Sequence, residues 1–193
     1  SLQVKMLRKS RPIPAELKIT NEFLRLLGYY ISDGTANFSD KNNSLAFYNT
    51  RKIILDDMRH CLESVTCMKA KERITYGFGQ ATELKIGNKM YAELITSLCG
   101  KPKAKKIPAF IFGLSKERIG QFLSGLFTGD GHTTEQSFGY TTVLKDVAQQ
   151  LQQLLLVYGI VATVRKNTSK NVYDLVFYRQ EDKDIFSQYV QVL

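Results

Sequence analysis

The chain has 193 residues, 44% hydrophobic and 23% charged, enough to bury a sizeable core as one domain or as two closely joined halves. No apolar run reaches the roughly 18 residues that a membrane-spanning helix requires; the nearest, "LQQLLLVYGIVATV", is broken by Gln153 and Gly159. Lysine and arginine number 27 against 18 aspartates and glutamates, and the net charge of +9 points to a polyanionic partner. Nucleic acid is a better fit than a membrane surface, because no basic amphipathic helix keeps a broad apolar face for lipid. Cys61, Cys67 and Cys99 form no C-x-x-C pair and read as free thiols of a reducing, intracellular compartment, while His60 and His132 stand isolated from any metal-ligand cluster. The start, "SLQVKMLRKSRPIP", is basic without an apolar stretch, so residues 1–19 are expected to be a basic extension and not a secretory signal.

In chain order, "NEFLRLLGYYISDG" has a helical apolar period, and Gly34 is expected to cap it. Two strand-like pieces follow around "SDKNNS", the second being "SLAFYNT". "RKIILDDMRHCLESV" predicts a helix with Ile54, Met58, Cys61, Leu62 and Val65 on one stripe. "KERITYGFGQATELKIG" predicts a hairpin and "NKMYAELITSLCG" a closing helix. The basic, proline-bearing stretch 101–114 reads as a linker. Beyond it "KERIGQFLSGLFTGDG" predicts a helix, "QSFGYTT" a strand, and "VLKDVAQQLQQLLLVYG" a helix capped by Gly159. "IVATVRKNTSKNVYDLVFYR" predicts a hairpin and "KDIFSQYVQVL" a last helix.

The two halves, 20–100 and 115–193, therefore run the same course. Tyr48 and Tyr140 stand 92 positions apart, and the same offset aligns Leu62 with Leu154, Val65 with Val157, Ala70 with Ala162 and Arg73 with Arg165. One residue of slip then aligns Leu84 with Leu175. The expected class is α+β, two pseudosymmetric αββαββα units rather than a solenoid of short repeats.

Each half opens on a helical stretch that carries glycine and ends in Asp-Gly, the bulkier "LLGYYISDG" and the barer "LSGLFTGDG". Gly28 and Ser32 in the first, with Ser124, Gly125 and Gly129 in the second, offer nearly bare helix faces. A helical glycine costs about 1 kcal/mol, which close helix packing can offset. Two such helices side by side would bring Asp33 and Asp130 together. Paired carboxylates repel unless a cation lies between them, and an oxygen-seeking divalent ion such as Mg²⁺ meets that need and suits phosphodiester hydrolysis.

These two stretches resemble the paired motifs of the LAGLIDADG homing endonucleases in their single-chain form, and "KKIPAFIFGLSKERIGQFLSGLFTGDG" is especially similar to the endonuclease domains carried by inteins. The likeness spans Thr20 to Leu193. It implies a saddle of two halves with the motif helices packed at its centre, working as a monomer. It also implies cleavage of both strands of a long, asymmetric double-stranded DNA site across the minor groove, leaving short 3′ overhangs. Asp33 and Asp130 become the catalytic acids and, together with Gly34 and Gly131, the residues that bind Mg²⁺ (or Mn²⁺). A lysine expected shortly before the second motif is Lys105 or Lys106, with Lys106 slightly preferred beside Ile107-Pro108. Its symmetric counterpart would lie beyond Leu193.

Strand alternation supplies the candidate DNA-binding side chains: Asn49, Arg51, Lys71, Arg73, Gln80, Lys85, Arg165, Lys166, Tyr178 and Arg179. The chain lacks the early histidine and terminal His-Asn of a self-splicing intein, so it is expected to be free-standing or the endonuclease part of a longer one. The alternative is a catalytically idle DNA-binding protein or an RNA maturase of the same fold. Retention of both acids favours cleavage.

Overall fold

This computed structural model describes residues 13–14, 16–39, 43–76 and 79–193. The first half comprises α1 (Asn21–Asp33), β1 (Gly34–Asn37), β2 (Ser44–Asn49), α2 (Lys52–Thr66), β3 (Lys71–Tyr76), β4 (Gln80–Ile86) and α3 (Lys89–Cys99). A 3-10 turn, Ala109–Gly113, leads into the second: α4 (Lys116–Asp130), β5 (Gly131–Thr133), β6 (Phe138–Thr142), α5 (Lys145–Leu156), β7 (Thr163–Asn167), β8 (Val172–Phe177) and α6 (Gln180–Tyr189). Each half is αββαββα, with antiparallel sheets ordered β1-β2-β4-β3 and β5-β6-β8-β7. No helix among the described residues is long and apolar enough to cross a membrane.

In both halves the helices cover one sheet face, and the apolar strand residues alternate toward them. Leu45 and Phe47 of β2 face Ile86 and Leu84 of β4, and all four are buried. Phe138 and Tyr140 of β6 face Phe177 and Leu175 of β8 on the equivalent side. The helix stripes answer them: Ile54, Met58, Cys61 and Leu62 of α2, and Val147, Leu151, Leu154 and Leu155 of α5, are buried, while Val65 is only partly so. Thr20 caps α1, its hydroxyl accepting from the Phe23 amide at 3.2 Å, and Asn88 caps α3 by accepting from the Met90 and Tyr91 amides.

The halves meet through α1 and α4, which run parallel. A Cβ on Gly28 would lie 2.3 Å from the Phe122 carbonyl oxygen, one on Gly125 2.1 Å from the Arg25 carbonyl, and one on Gly129 2.0 Å from the Ser32 hydroxyl. The order of those contacts along both helices fixes their common direction and puts their C-terminal ends side by side. Only glycine permits backbone-to-backbone approach this close.

Three expectations change and one is refined. Gly34 caps α1, its amide donating to the Tyr30 carbonyl, but does so in extended conformation, with φ −90°, and begins β1 directly. It is glycine because a Cβ would meet Tyr30 Cα at 2.5 Å; Gly131 stands likewise against the Phe127 carbonyl at 2.3 Å. Ser124 does not face α1: its hydroxyl accepts from the Gln191 amide at 2.9 Å. Gly120, Ser124 and Thr128 form a second bare face of α4, along which the chain after α6 lies. The Tyr189 carbonyl occupies the space beside Gly120, and the Leu193 amide donates to the Thr128 hydroxyl. The strand β5, three residues long, is too short for its alternation to show in sequence. Finally, strand register equates Tyr140 with Phe47 and not with Tyr48, since Gly131 pairs with Tyr140 as Gly34 does with Phe47. A one-residue slip moves a strand side chain to the other face of the sheet.

Candidate active site and nucleic-acid interface

The helices α1 and α4 end on Asp33 and Asp130, and their parallel packing makes these carboxylates neighbours. Burial raises the Asp33 pKa to about 6, with the Asp130 charge adding to the rise and a hydrogen bond from Asn49 opposing it. Asp130 keeps an open side to solvent, yet burial of the rest raises its pKa too, opposed by the Lys105 charge and a hydrogen bond from the buried Tyr140 hydroxyl. The two acids thus have different supports. Asn49 Nδ2 donates to Asp33 Oδ2 at 3.1 Å while its carbonyl oxygen accepts from the Thr50 and Arg51 amides at the start of α2. Tyr140 serves Asp130 from β6, and Phe47, its counterpart in β2, has no hydroxyl to offer Asp33.

Lys105, and not Lys106, is the lysine at this site. The residue is only 8% exposed, and Nζ donates to the Ile31 carbonyl at 3.0 Å and the Ser32 carbonyl at 3.3 Å. The ammonium also sits 5.2 Å from the centre of the Tyr30 ring. Burial lowers its pKa to about 8, with Asp130 and Asp33 opposing the shift. Lys106 is exposed, its backbone amide tied to the Cys99 carbonyl at 2.7 Å. The loop folds back on α3 through Gly100, whose φ of +82° and closeness to the Ala104 carbonyl suit glycine alone. Proximity to Ile107-Pro108 did not reveal this, because burial follows from the loop's tertiary path.

Among the described residues no three His, Cys, Asp or Glu side chains converge to hold a metal ion. Two carboxylates nevertheless fit a Mg²⁺-like cation, which commonly takes one or two and completes its shell with water and phosphate oxygens. The raised pKa values of both acids mark a place where added positive charge would be stabilising.

The sheet faces turned away from the helices carry the polar candidates unevenly. Lys71, Arg73 and Lys85 share the open face of the first sheet, with Lys71 directly opposite Lys85. Arg73 is ion-paired to Glu83, and Tyr48 donates to Glu83 Oε1 at 2.7 Å. Arg165 and Tyr178 belong to the open face of the second sheet. By register Asn49, Gln80 and Lys166 lie on the opposite, helix-side faces: Asn49 and Gln80 share theirs with Leu84, and Lys166 is beside Tyr173. Arg51 and Arg179 precede α2 and α6; Arg51 Nη1 donates to the Leu193 carbonyl at 3.0 Å, and Arg179 pairs with Asp182 at 2.9 Å.

A sequence profile of the LAGLIDADG-like domain matches residues 20–99 and again 117–191, once in each half. The chain belongs to the LAGLIDADG family. Its fold is that of the homing endonuclease I-DmoI, whose structure in complex with DNA and Mn superposes with a TM-score of 0.68 at 15% identity, covering 90% of this chain and 97% of that one. Among curated proteins it is 25% identical over 195 residues to a glutamine–fructose-6-phosphate aminotransferase of Methanocaldococcus jannaschii, covering 95% of this chain and 17% of that protein. It is 29% identical over 171 residues to RecA of Mycobacterium tuberculosis, covering 81% of this chain and 20% of that protein. The chain spans about a fifth of the length of each of these two relatives. The LAGLIDADG motifs are the α1–β1 and α4–β5 junctions described above. Around them sequence reasoning passed over Tyr140, Glu83 and Asp174. Tyr140 showed only as a repeat match, and neither acid stood out from its strand.

Proposed function

We propose that this LAGLIDADG chain is a monomeric, site-specific endonuclease that cuts both strands of a long, asymmetric double-stranded DNA site across the minor groove, leaving short 3′ overhangs. The observation that carries the reading is the pair Asp33 and Asp130, at the touching ends of two parallel helices, with the buried Lys105 ammonium beside them. In this reading Asp33 and Asp130, with the chain at Gly34 and Gly131, hold Mg²⁺ or Mn²⁺. When bound, the divalent ion supplies Lewis acidity at a scissile phosphate and lowers the pKa of water. Asn49 and Tyr140 hold the two carboxylates in place through hydrogen bonds. Lys105, with a pKa of about 8, offsets negative charge and is able to exchange a proton near neutral pH.

The DNA partner is supported by the +9 charge and by Lys71 facing Lys85. Like charges directly opposite across strands repel unless an anion covers them. An excised or embedded origin is supported by the relatives, by name an aminotransferase and Protein RecA, each far longer than the shared region. The free thiols Cys61, Cys67 and Cys99 suit a reducing, intracellular setting.

The test is incubation of purified protein with a randomised duplex library and Mg²⁺, followed by sequencing of cut ends. A consensus with staggered breaks on both strands is expected, and Asp33→Asn should bind the selected site without cutting it. Binding without cutting by the unaltered protein would instead identify an idle DNA-binding member. A preference for structured RNA over duplex would identify a maturase.

A further inference from the structure

The pseudosymmetric halves treat one strand position in opposite ways. On the first sheet Glu83 is buried, 2% exposed, and is satisfied by Arg73 and by the Tyr48 hydroxyl. The residue in its place on the second sheet is Asp174, which pairs in register with Arg165 as Glu83 does with Arg73. Being one methylene shorter, Asp174 makes no ion pair with Arg165 among the described residues; it accepts only from the Thr141 hydroxyl, at 2.7 Å. The Arg165 guanidinium and one Asp174 oxygen are both left available. They line an open concavity of about 340 Å³ on the sheet's outer face, together with His132, Thr163, Val176 and Tyr178. Gly139 makes room for the His132 ring at its side, since a Cβ there would lie 2.3 Å from Nε2.

A carboxylate on a surface meant for DNA repels phosphate, so its presence there needs a different contact. In the major groove a carboxylate accepts from the cytosine amino group, and arginine pairs bidentately with the O6 and N7 of guanine. Strands about 4.8 Å apart hold these two groups at a spacing that one base pair can meet. We propose that the concavity on the second sheet is a base-reading subsite selective for a G·C pair, with Arg165 on the guanine and Asp174 on the cytosine. The tied Arg73 and Glu83 leave the first sheet to contribute charge through Lys71 and Lys85. This assignment rests on the DNA reading above and deepens it by dividing the work: the first half anchors, the second discriminates.

Binding-site selection from randomised duplexes without divalent metal tests it independently of cleavage. The unaltered protein is expected to select a G·C pair at one position of one half-site. Asp174→Asn, which preserves the acceptor for Thr141, is expected to lower that preference about tenfold or more while leaving the other positions unchanged. An unchanged consensus overturns the proposal alone. So does a uniform loss of affinity at every position, which is what a structural or phosphate-contacting role would give. If the unaltered protein retains no duplex at all, the DNA reading fails and this subsite with it.

Discussion

Asp33 is held with its pKa near 6, above the ordinary carboxylate value near 4, so between about pH 4 and pH 6 the folded protein binds more protons than the unfolded chain. Stability contributed by this group is therefore present at low pH and lost as pH rises through that window. In metal-free buffer Asp33→Asn should melt higher than the unaltered protein at pH 7.5, by about 1–2 kcal/mol after allowance for screening, and the difference should vanish near pH 4 in calorimetry. Added Mg²⁺ should raise the melting temperature of the unaltered protein and not that of Asp33→Asn. The lysines separate just as clearly. Lys105→Met should slow single-turnover cutting by about a hundredfold with binding retained, whereas Lys106→Met should cut at nearly the normal rate. Equal effects from the two substitutions would show that burial beside the acids is not what matters.

Between elements, the decisive contact is α1 against α4. A side chain on Gly125 meets the Arg25 carbonyl at 2.1 Å, and backbone at a helix crossing has nowhere to move. Gly125→Val should destabilise by about 3 kcal/mol or more through overpacking, and Leu27→Val by only about 1 kcal/mol through a lost methylene, as read from chemical denaturation. The same helix pair is braced from outside. Asp57 of α2 takes an ion pair from Arg25 at 2.7 Å and a hydrogen bond from Tyr29 at 2.6 Å. Asp57→Ala would strand the largely buried Arg25 charge and should cost about 3–5 kcal/mol. The glycine spacing made the first face of α4 legible in sequence. It placed Ser124 on the wrong side, because the serine lies one residue from Gly125 and that step turns about 100° around the helix. Its partner, the Gln191 amide, is 67 positions away.

For the whole molecule, the uneven sheets predict an uneven dependence on salt. Each phosphate contact contributes about 0.9 to the slope of log affinity against log salt. Lys71→Gln with Lys85→Gln should therefore flatten the slope by up to about 2 while leaving the base preference of the second half-site intact. Titration by fluorescence anisotropy at several salt concentrations reads both. An unchanged slope would remove the first sheet from the interface.

The sequence by itself determined the duplicated αββαββα course and where each motif helix ends, because apolar period and repeated Asp-Gly ends are local signals that survive without knowledge of partners. It brought Asp33 and Asp130 together on the strength of glycine spacing alone, since bare helix faces have few uses other than close packing. Tertiary structure decided what depended on register and path. Tyr140 supports Asp130 while Tyr48 faces outward, because strand side chains alternate with period two and a repeat matched by letter was one residue out. Lys105 is buried and Lys106 exposed because the loop folds back on α3 at Gly100. The contrast between tied Glu83 and available Asp174 rests on a single methylene, and only the paired strands bring Arg73 and Arg165 near enough for that length to matter.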